Sequence, residues 1–435
     1  MIQKTKEGSK LKTEQWQGER SKKRLKTSQE ASGLMKKSNE EMLEGIARGG
    51  HLIFGDGPRE LIRSMGLYYH CHAWWSAVFA AKQMDRHYHD VLKQKGYFNS
   101  LAGGYESITL GYALDNNPKA APYGGIPKIS AWIIDRASST RVYEHYAREF
   151  GCPLYFMDFT HPTNIPSRWW EIEDWGNPPM VEQWTKEFEG CARFLEALTG
   201  KSYNEAKLRE VLEIADETCE YYWKATDLAC TTVPAPISVT DAFAEVAVYN
   251  WHQGEKWTLE HAKQYYEEIK KRVDNKEAVC PNEKVRLLWL TTLPIWFSLG
   301  FYNYWEESHG AVFIADNYIS AAAKIMYHDR SNPLKAMALR RHLRYGAATP
   351  TAAAEYAVHT VEKCKADGVI LPIRGGTAYR GEMFILETLK RHGTPTLIIN
   401  YDPVDSQNWD DSAMKAKVTV FIESLKPFKN KNPKK

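Results

Sequence analysis

No stretch of about 18 apolar residues occurs in this 435-residue chain, and no apolar core follows its amino terminus, so neither a membrane-spanning helix nor a secretory leader is expected. Cysteine is sparse. The seven residues, Cys71, Cys152, Cys191, Cys219, Cys230, Cys280 and Cys364, form no Cys-x-x-Cys pair and no even framework. That pattern excludes a disulfide scaffold and reads as reduced thiols in a cytoplasmic protein. Gly-x-Ser-x-Gly, His-Glu-x-x-His and the P-loop are all missing. Gly200-Lys201-Ser202 lacks the preceding glycine of a P-loop, and Gly55-Asp56-Gly57 lacks the third glycine of a dinucleotide fingerprint. A large excess of either charge is also absent, the formal net charge being +3. The ends are nevertheless basic: residues 1–50 hold 12 Lys and Arg against 7 Asp and Glu, and the last ten residues hold five Lys and no acid. No nucleic-acid-reading motif accompanies them, so they read as solubilising or subunit-contact arms.

The stretch around which the chain is organised is Asp367 to Glu382. Val369 to Ile373 is an apolar run that suits a strand buried on both faces. It ends in Arg374-Gly375-Gly376-Thr377, a turn that small residues make easily. An amphipathic helix follows, closed by His392-Gly393, and then a strand, Thr396 to Asn400. The same alternation occurs earlier, with strands at Leu52–Phe54, Ala131–Ile134 and Leu154–Met157 and a helix from Arg141 to Phe150. A capped helix is expected from Ser38 to Arg48, and an aromatic helix from Trp296 to Trp305. Val285–Leu290 and Ala311–Ile314 begin a second sheet, and residues 165–280 have helical period. The expected class is α/β, with two parallel-sheet domains joined by a helical middle segment. The expected divisions are a basic arm at 1–45, a first α/β domain at 46–165, helices at 166–283, a second α/β domain at 284–427 and a basic tail at 428–435.

Ligands of such sheets sit at the carboxyl ends of the strands. Those ends carry Asp56, Asp135, Arg136, Ser138, Ser139, Asp158, His161, Thr292, Asp316, Arg374, Thr377 and Asp402. Arginine, hydroxyls and glycine amides suit a phosphate- or thioester-bearing ligand. Arg136, Ser138, Ser139, Arg374, Gly375, Gly376 and Thr377 are therefore the candidate binding residues. His161, Asp135 and Asp316 are the candidate acids and bases. An aspartate in such a place is also a common helix cap. No metal ligands are assigned, because His70-Cys71-His72 and His87-Tyr88-His89, read as helical, put their histidines two apart and off a common face.

Gly57-Pro-Arg-Glu-Leu-Ile-Arg-Ser-Met-Gly66, Trp132 to Asp158, Glu307 to Ile314, Ala366-Asp-Gly-Val369 and Gly393 to Asp402 with Asp405 occur in that order and spacing. Together they resemble the 2-hydroxyacyl-CoA dehydratase and benzoyl-CoA reductase subunits over about residues 45–427. The resemblance implies two flavodoxin-like domains, a pairing of similar subunits, and a CoA thioester as substrate. It also implies a 4Fe–4S cluster held by three cysteines, and a separate ATP-hydrolysing activator that delivers a low-potential electron to form a ketyl radical. The three cysteines of that pattern would fall near Ser107 to Thr109, between Arg136 and Ser139, and at Gly375. None of these positions is Cys. Thiolates hold such clusters, serine substitutes rarely, and glycine has no side chain to ligate with. The expectation is that this chain binds no cofactor of its own and that any cluster belongs to a partner subunit.

Three readings stay open on the sequence. One is a cluster-free subunit of a hetero-oligomeric acyl-CoA dehydratase (a lyase) or reductase of anaerobic metabolism, in a heterodimer or higher assembly. Another is a cluster-free acyl-CoA hydratase or lyase on the same fold. The last is a non-catalytic structural subunit. The 39 Trp and Tyr residues suit an interface, an aromatic acyl pocket or a large core, with Trp74-Trp75 and Trp296 to Trp305 as candidate interface anchors.

Overall fold

A computed structural model describes residues 21–97, 104–135, 140–160, 164–172, 175–290, 294–314, 330–347, 349–374 and 381–425, with backbone alone at 140, 141, 345–347 and 374. Two four-stranded parallel sheets are built in the same order. The first runs β2-β1-β3-β4 and the second β6-β5-β7-β8. The first comprises β1 (Leu52–Gly55), β2 (Tyr68–His70), β3 (Ala131–Ile134) and β4 (Leu154–Phe156). The second comprises β5 (Val285–Trp289), β6 (Ala311–Ile314), β7 (Gly368–Arg374) and β8 (Thr396–Tyr401). In each, the chain leaves the first strand to one side and returns for the third on the other, so the topological switch points are β1/β3 and β5/β7. The α/β class with two parallel-sheet domains and a helical middle is thus the observed fold.

The central strands are apolar throughout because both faces are covered. Leu287 and Trp289 of β5 enter a core that also takes in Leu52, Ile53 and Phe54 of β1, while Leu288 and Leu290 enter a second core with Tyr222, Val248 and Ile269 of the middle helices. One continuous apolar body therefore joins the two sheets. Pro372 lies in β7, where a missing N–H would break a ladder. The pairing of β5 with β7 stops at Ile370, and beyond it β7 pairs with β8 alone as far as Arg374 opposite Tyr401. Pro372 thus sits where β7 has one laddered edge, and the β7–β8 pair runs on past the end of β5.

The first sheet is flanked by α1 (Lys26–Ala47), α2 (Arg59–Ser64), α3 (His72–Ala81), α4 (Asp85–Gln94), α5 (Gly104–Asp115) and α6 (Thr140–Glu149). The middle consists of α7 (Pro178–Thr199), α8 (Glu205–Thr231), α9 (Val239–His252) and α10 (Lys256–Asp274). Then come α11 (Trp305–His309), α12 (Pro333–Ala347), α13 (Pro350–Lys363), α14 (Glu382–His392) and α15 (Asp411–Ser424). Among the described residues, no helix is long and apolar enough to cross a membrane.

Four expectations are corrected. Ser38 does not start a helix. The helix begins at Lys26, and Ser38 lies inside it, donating to Glu255 at 3.0 Å. The amides of Lys26 and Thr27 are satisfied instead by Glu268 of α10, at 2.8 and 2.9 Å. Tyr68–His70 is a strand, so His70 and His72 flank a strand–helix junction rather than share a helix. Trp296 to Asn303 is a 3₁₀ helix, with α11 starting afresh at Trp305. Finally, Trp74, Trp75, Trp296 and Trp305 are core residues, at most 8 % exposed. They pack edge-to-face, Trp74 on Trp75 at 5.0 Å and Phe301 on Trp305 at 5.0 Å, an arrangement aromatic quadrupoles favour.

The segment before α1 is held by buried acids. Asp241 accepts from the Arg24 amide at 3.2 Å and the Leu25 amide at 3.4 Å, and Glu306 takes the Arg24 guanidinium at 2.9 Å. Burial pushes the Asp241 carboxyl up to about 6, against the opposing pull of those amides and of Arg272 and Lys23. In the unfolded chain the group titrates near 4. The folded state therefore holds an extra proton between about pH 4 and 6, and stability falls as pH rises through that window. Asp241→Asn keeps an acceptor for the two amides and removes the titration. The variant is expected to gain about 2 kcal/mol relative to the parent between pH 4 and 7. Urea unfolding at both pH values reads it, and a difference independent of pH would refute the assignment.

Candidate functional site

At the first switch point, β1 ends in Gly55 with φ +115°. A side chain there would run into the Ile133 carbonyl and the Trp132 indole, so the backbone passes hard against β3 only as glycine. Asp56 and Gly57 follow, and α2 brings in Glu60. Beside them Asp135, 3 % exposed, directly follows β3. Asp135 is ion-paired with Arg341 of α12, whose guanidinium also reaches the Asp56 carbonyl at 3.5 Å and lies over the Phe159 ring at 5.5 Å. The adjacent Arg340 pairs with Glu60 at 3.3 Å and donates to Tyr249 at 3.2 Å. With its amide oriented to satisfy both neighbours, Gln253 donates to Glu60 at 3.0 Å and accepts from Arg340 at 2.6 Å. Arg340 and Arg341 carry the main charge contacts of this crevice, and sequence reading missed both, because nothing local marks a helix 200 residues away as its wall.

At the second sheet, Arg374 ends β7 and Asp402 follows β8. The Asp402 carboxylate accepts from the amides of Val404 at 3.0 Å and Asp405 at 3.2 Å, and from the Gly104 amide at the start of α5, 3.1 Å away. A side chain on Gly104 would collide with that carboxylate. Trp296, on the segment after β5, donates from its indole to the Tyr105 hydroxyl at 2.7 Å and from its amide to the Pro403 carbonyl at 2.9 Å. The amino end of α5, from the first sheet domain, thus lies at the carboxyl edge of the second sheet. Asp405 also meets His89 at 3.5 Å, and Asp85 takes the Ser406 amide at 2.8 Å, fastening α4 to the same loop. His87 turns instead to Asp115 at 3.1 Å, so the two histidines of His87-Tyr88-His89 serve different carboxylates.

Of the sequence candidates, the structure places Asp135 at the end of β3 and the Arg374 backbone at the end of β7. Asp56, Asp158 and Asp402 also lie just beyond strand ends. Arg136, Ser138, Ser139, His161, Thr292, Asp316, Gly375, Gly376 and Thr377 lie outside the described residues. An open cavity of about 370 Å³ lies elsewhere, lined by Glu189, Arg193, Glu196, Tyr203 and Asn332 among others, and includes none of this set.

Among the described residues, the donors do not form the set an iron–sulfur cluster needs. Ser107 and Thr109 lie within α5, and the Thr109 hydroxyl is engaged with Ser76 at 3.0 Å. All seven cysteines stand as free thiols, and only Cys219 and Cys230 share an element, α8. Burial pushes Cys71 up to about 12 and Cys152 up to about 11, and raises Cys191, Cys219 and Cys280, so these favour the thiol over the ligating thiolate. Among the described residues, no three His, Cys, Asp or Glu side chains converge as a metal would need.

Two stability tests follow. Asp402→Ala leaves three amides without their acceptor and is expected to cost about 1–2 kcal/mol in urea unfolding, with Asp402→Asn costing less. Arg341→Ala strands a buried carboxylate and is expected to cost about 3 kcal/mol. Adding Asp135→Asn should recover a large part of the second loss. Full additivity of the two changes would show that the pair is not coupled.

A family model for the 2-hydroxyglutaryl-CoA dehydratase D-component matches residues 56–425. The chain is 24 % identical over 159 residues to the (R)-2-hydroxyisocaproyl-CoA dehydratase alpha subunit of Clostridioides difficile, covering 37 % of each chain. It is 26 % identical over 148 residues to the (R)-phenyllactyl-CoA dehydratase alpha subunit of Clostridium sporogenes, covering 34 % of each. The alignments span little more than a third of the length of these curated relatives. The family match extends over most of the chain, from just after β1 to just past α15, and on it this protein belongs to the 2-hydroxyglutaryl-CoA dehydratase D-component family.

Proposed function

We propose that this chain is the cluster-free subunit of a hetero-oligomeric enzyme that acts on CoA thioesters, most simply a dehydratase of 2-hydroxyacyl-CoA. A related partner chain would hold the 4Fe–4S cluster. The observation that carries the reading is a family match from 56 to 425 in a chain with no cysteine at any of the three ligand positions. The family's mode of action supplies the substrate class, and the two named relatives both act on 2-hydroxyacyl thioesters.

In this proposal the chain binds and orients the thioester. Arg136, Ser138 and Ser139 follow β3 in sequence, and Gly375, Gly376 and Thr377 follow Arg374, the last residue of β7; β3 and β7 are the third strand of each sheet and one side of each switch point. Guanidinium groups and backbone amides give charge-assisted hydrogen bonds to phosphate or to a polarised thioester carbonyl. Dehydration removes a hydroxyl and a neighbouring proton as water, so it needs one group that donates a proton to the leaving hydroxyl and one that accepts the proton lost. His161, Asp316 and Asp135 are assigned to that work. Asp135 is held by Arg341, which fits it to orient a ligand or a neighbouring base better than to shuttle protons.

The assembled native complex tests this. Anaerobic co-purification should yield a companion chain of related fold, and after separation the iron and sulfide should go with the companion. Stoichiometric iron in this chain, or a stable lone monomer from the native source, would refute the reading. Arg374→Ala in the complex should weaken CoA-thioester binding by about 1.5–3 kcal/mol by titration calorimetry. Unchanged affinity in a folded variant would remove the β7 loop from the binding site.

A further inference from the structure

Arg286 of β5 is a buried guanidinium, 2 % exposed, in an otherwise apolar strand. One of its nitrogens donates both to the Cys230 carbonyl at 2.9 Å and to the Cys364 carbonyl at 3.2 Å. Its other groups bond the Thr232 carbonyl at 2.6 Å and Glu283 at 2.7 Å. Cys230 lies in the last turn of α8 and Cys364 caps the end of α13. The two thiols hydrogen-bond to each other. The shared donor fixes the main chains side by side, and the thiol contact brings the sulfurs within reach of one another. No other two of the seven cysteines make such a contact among the described residues. The two cysteines are 3 % and 1 % exposed, and Val233, three residues after Cys230, is 48 % exposed.

We propose that Cys230 and Cys364 are a redox-sensitive dithiol, which an oxidant of the peroxide class converts into a disulfide tying the end of α8 to the turn between α13 and β7. The two sulfurs are not equivalent. The hydrogen bond from Cys364 lowers the Cys230 thiol against the opposing effect of burial, with Arg286 and Lys363 adding to the lowering, whereas the same bond together with burial raises Cys364. Cys230 is assigned the attack and Cys364 the resolving step. The Cys230 sulfur attacks one peroxide oxygen. An S–O bond forms, the O–O bond breaks, and the departing oxygen leaves as water or alcohol with a proton. The Cys364 sulfur then attacks the Cys230 sulfenic acid. The S–S bond forms, the S–O bond breaks, and the hydroxyl leaves as water with the Cys364 proton. Two thiols are oxidised and one peroxide is reduced. The new bond closes a covalent loop that includes α9 to α13 with β5 and β6, joining the helical middle to the second sheet.

The full-length chain, purified anaerobically in its folded state, is treated with hydrogen peroxide, digested and mapped by mass spectrometry. The expected result is loss of two thiols per chain and one linked peptide pair containing Cys230 and Cys364. The pair should be about 2 Da lighter than the sum of its free peptides, and dithiothreitol should separate it. Cys364→Ser should stop at a sulfenic acid on Cys230 that dimedone traps. Cys230→Ser should slow thiol loss about tenfold or more. The proposal is overturned if the folded parent chain yields no such linked pair, if either cysteine links to a different partner, or if the other five thiols oxidise first. The parent chain's map decides the matter even if a variant fails to fold.

Discussion

The Asp402 carboxylate fixes how the two halves of this protein face one another. It stands where β8 ends and receives the first amide of α5, a helix that belongs to the other sheet. Helix amino ends carry partial positive charge and unmet donors. An aspartate there is ordinary when it is local. Here it comes from 298 residues away, so capping one helix also sets the distance between the carboxyl edge of one sheet and a wall of the other. The glycine at the contact admits the carboxylate, and the Trp296–Tyr105 hydrogen bond repeats the connection at the next residue.

Buried charge does the same work elsewhere. Arg286 joins the ends of α8 and α13 to the start of β5, and Arg63 joins α2 to Glu255 and to the Trp251 and Gln253 carbonyls at the end of α9. Burial alone would raise the Glu255 carboxyl, but Arg63 and His252 outweigh it and hold the group well below the usual carboxylate range. Such pairs add little net stability over an apolar packing, because desolvation offsets the attraction, yet breaking one leaves a stranded charge. They fix a particular arrangement of elements more than they hold the chain folded. The apolar core that runs through both sheets supplies the cohesion.

That division explains what the sequence disclosed. Ala131–Ile134 and Ala311–Ile314 were legible to the residue, because a strand buried on both faces is a bare apolar run between turn residues. Tyr68–His70 was not, being three residues long with two polar-tipped aromatics and a histidine. The start of α1 was misplaced because its cap is Glu268 of α10, and local capping rules cannot see a tertiary partner. In the candidate site, the carboxyl-end rule put Asp135 correctly at the end of β3. The arginine facing it comes from α12, and no periodicity in residues 333–347 distinguishes Arg341 from a surface residue. The aromatic residues read as contact anchors belong to the core, since composition gives the area of aromatic surface and not the side of the fold that receives it.

The cap on α5 also bears on how an anionic ligand would be held. In many α/β sheets a phosphate rests on a helix amino end. At α5 that place is taken by the Asp402 carboxylate, which neutralises the dipole and uses the first amide. At the first switch point Arg341 is committed to Asp135, and Arg340 to Glu60. If this chain binds a thioester as proposed, the positive charge for its phosphates comes from side chains outside these pairs. Arg136 is next in sequence after Asp135, the residue that follows β3, and Arg374 ends β7, the third strand of each sheet. On the proposed reading, recognition in this chain rests on Arg136, Arg374 and the glycine-rich segment that follows β7 in sequence, and on that same reading Gly375 stands where the resemblance would put a third cluster ligand.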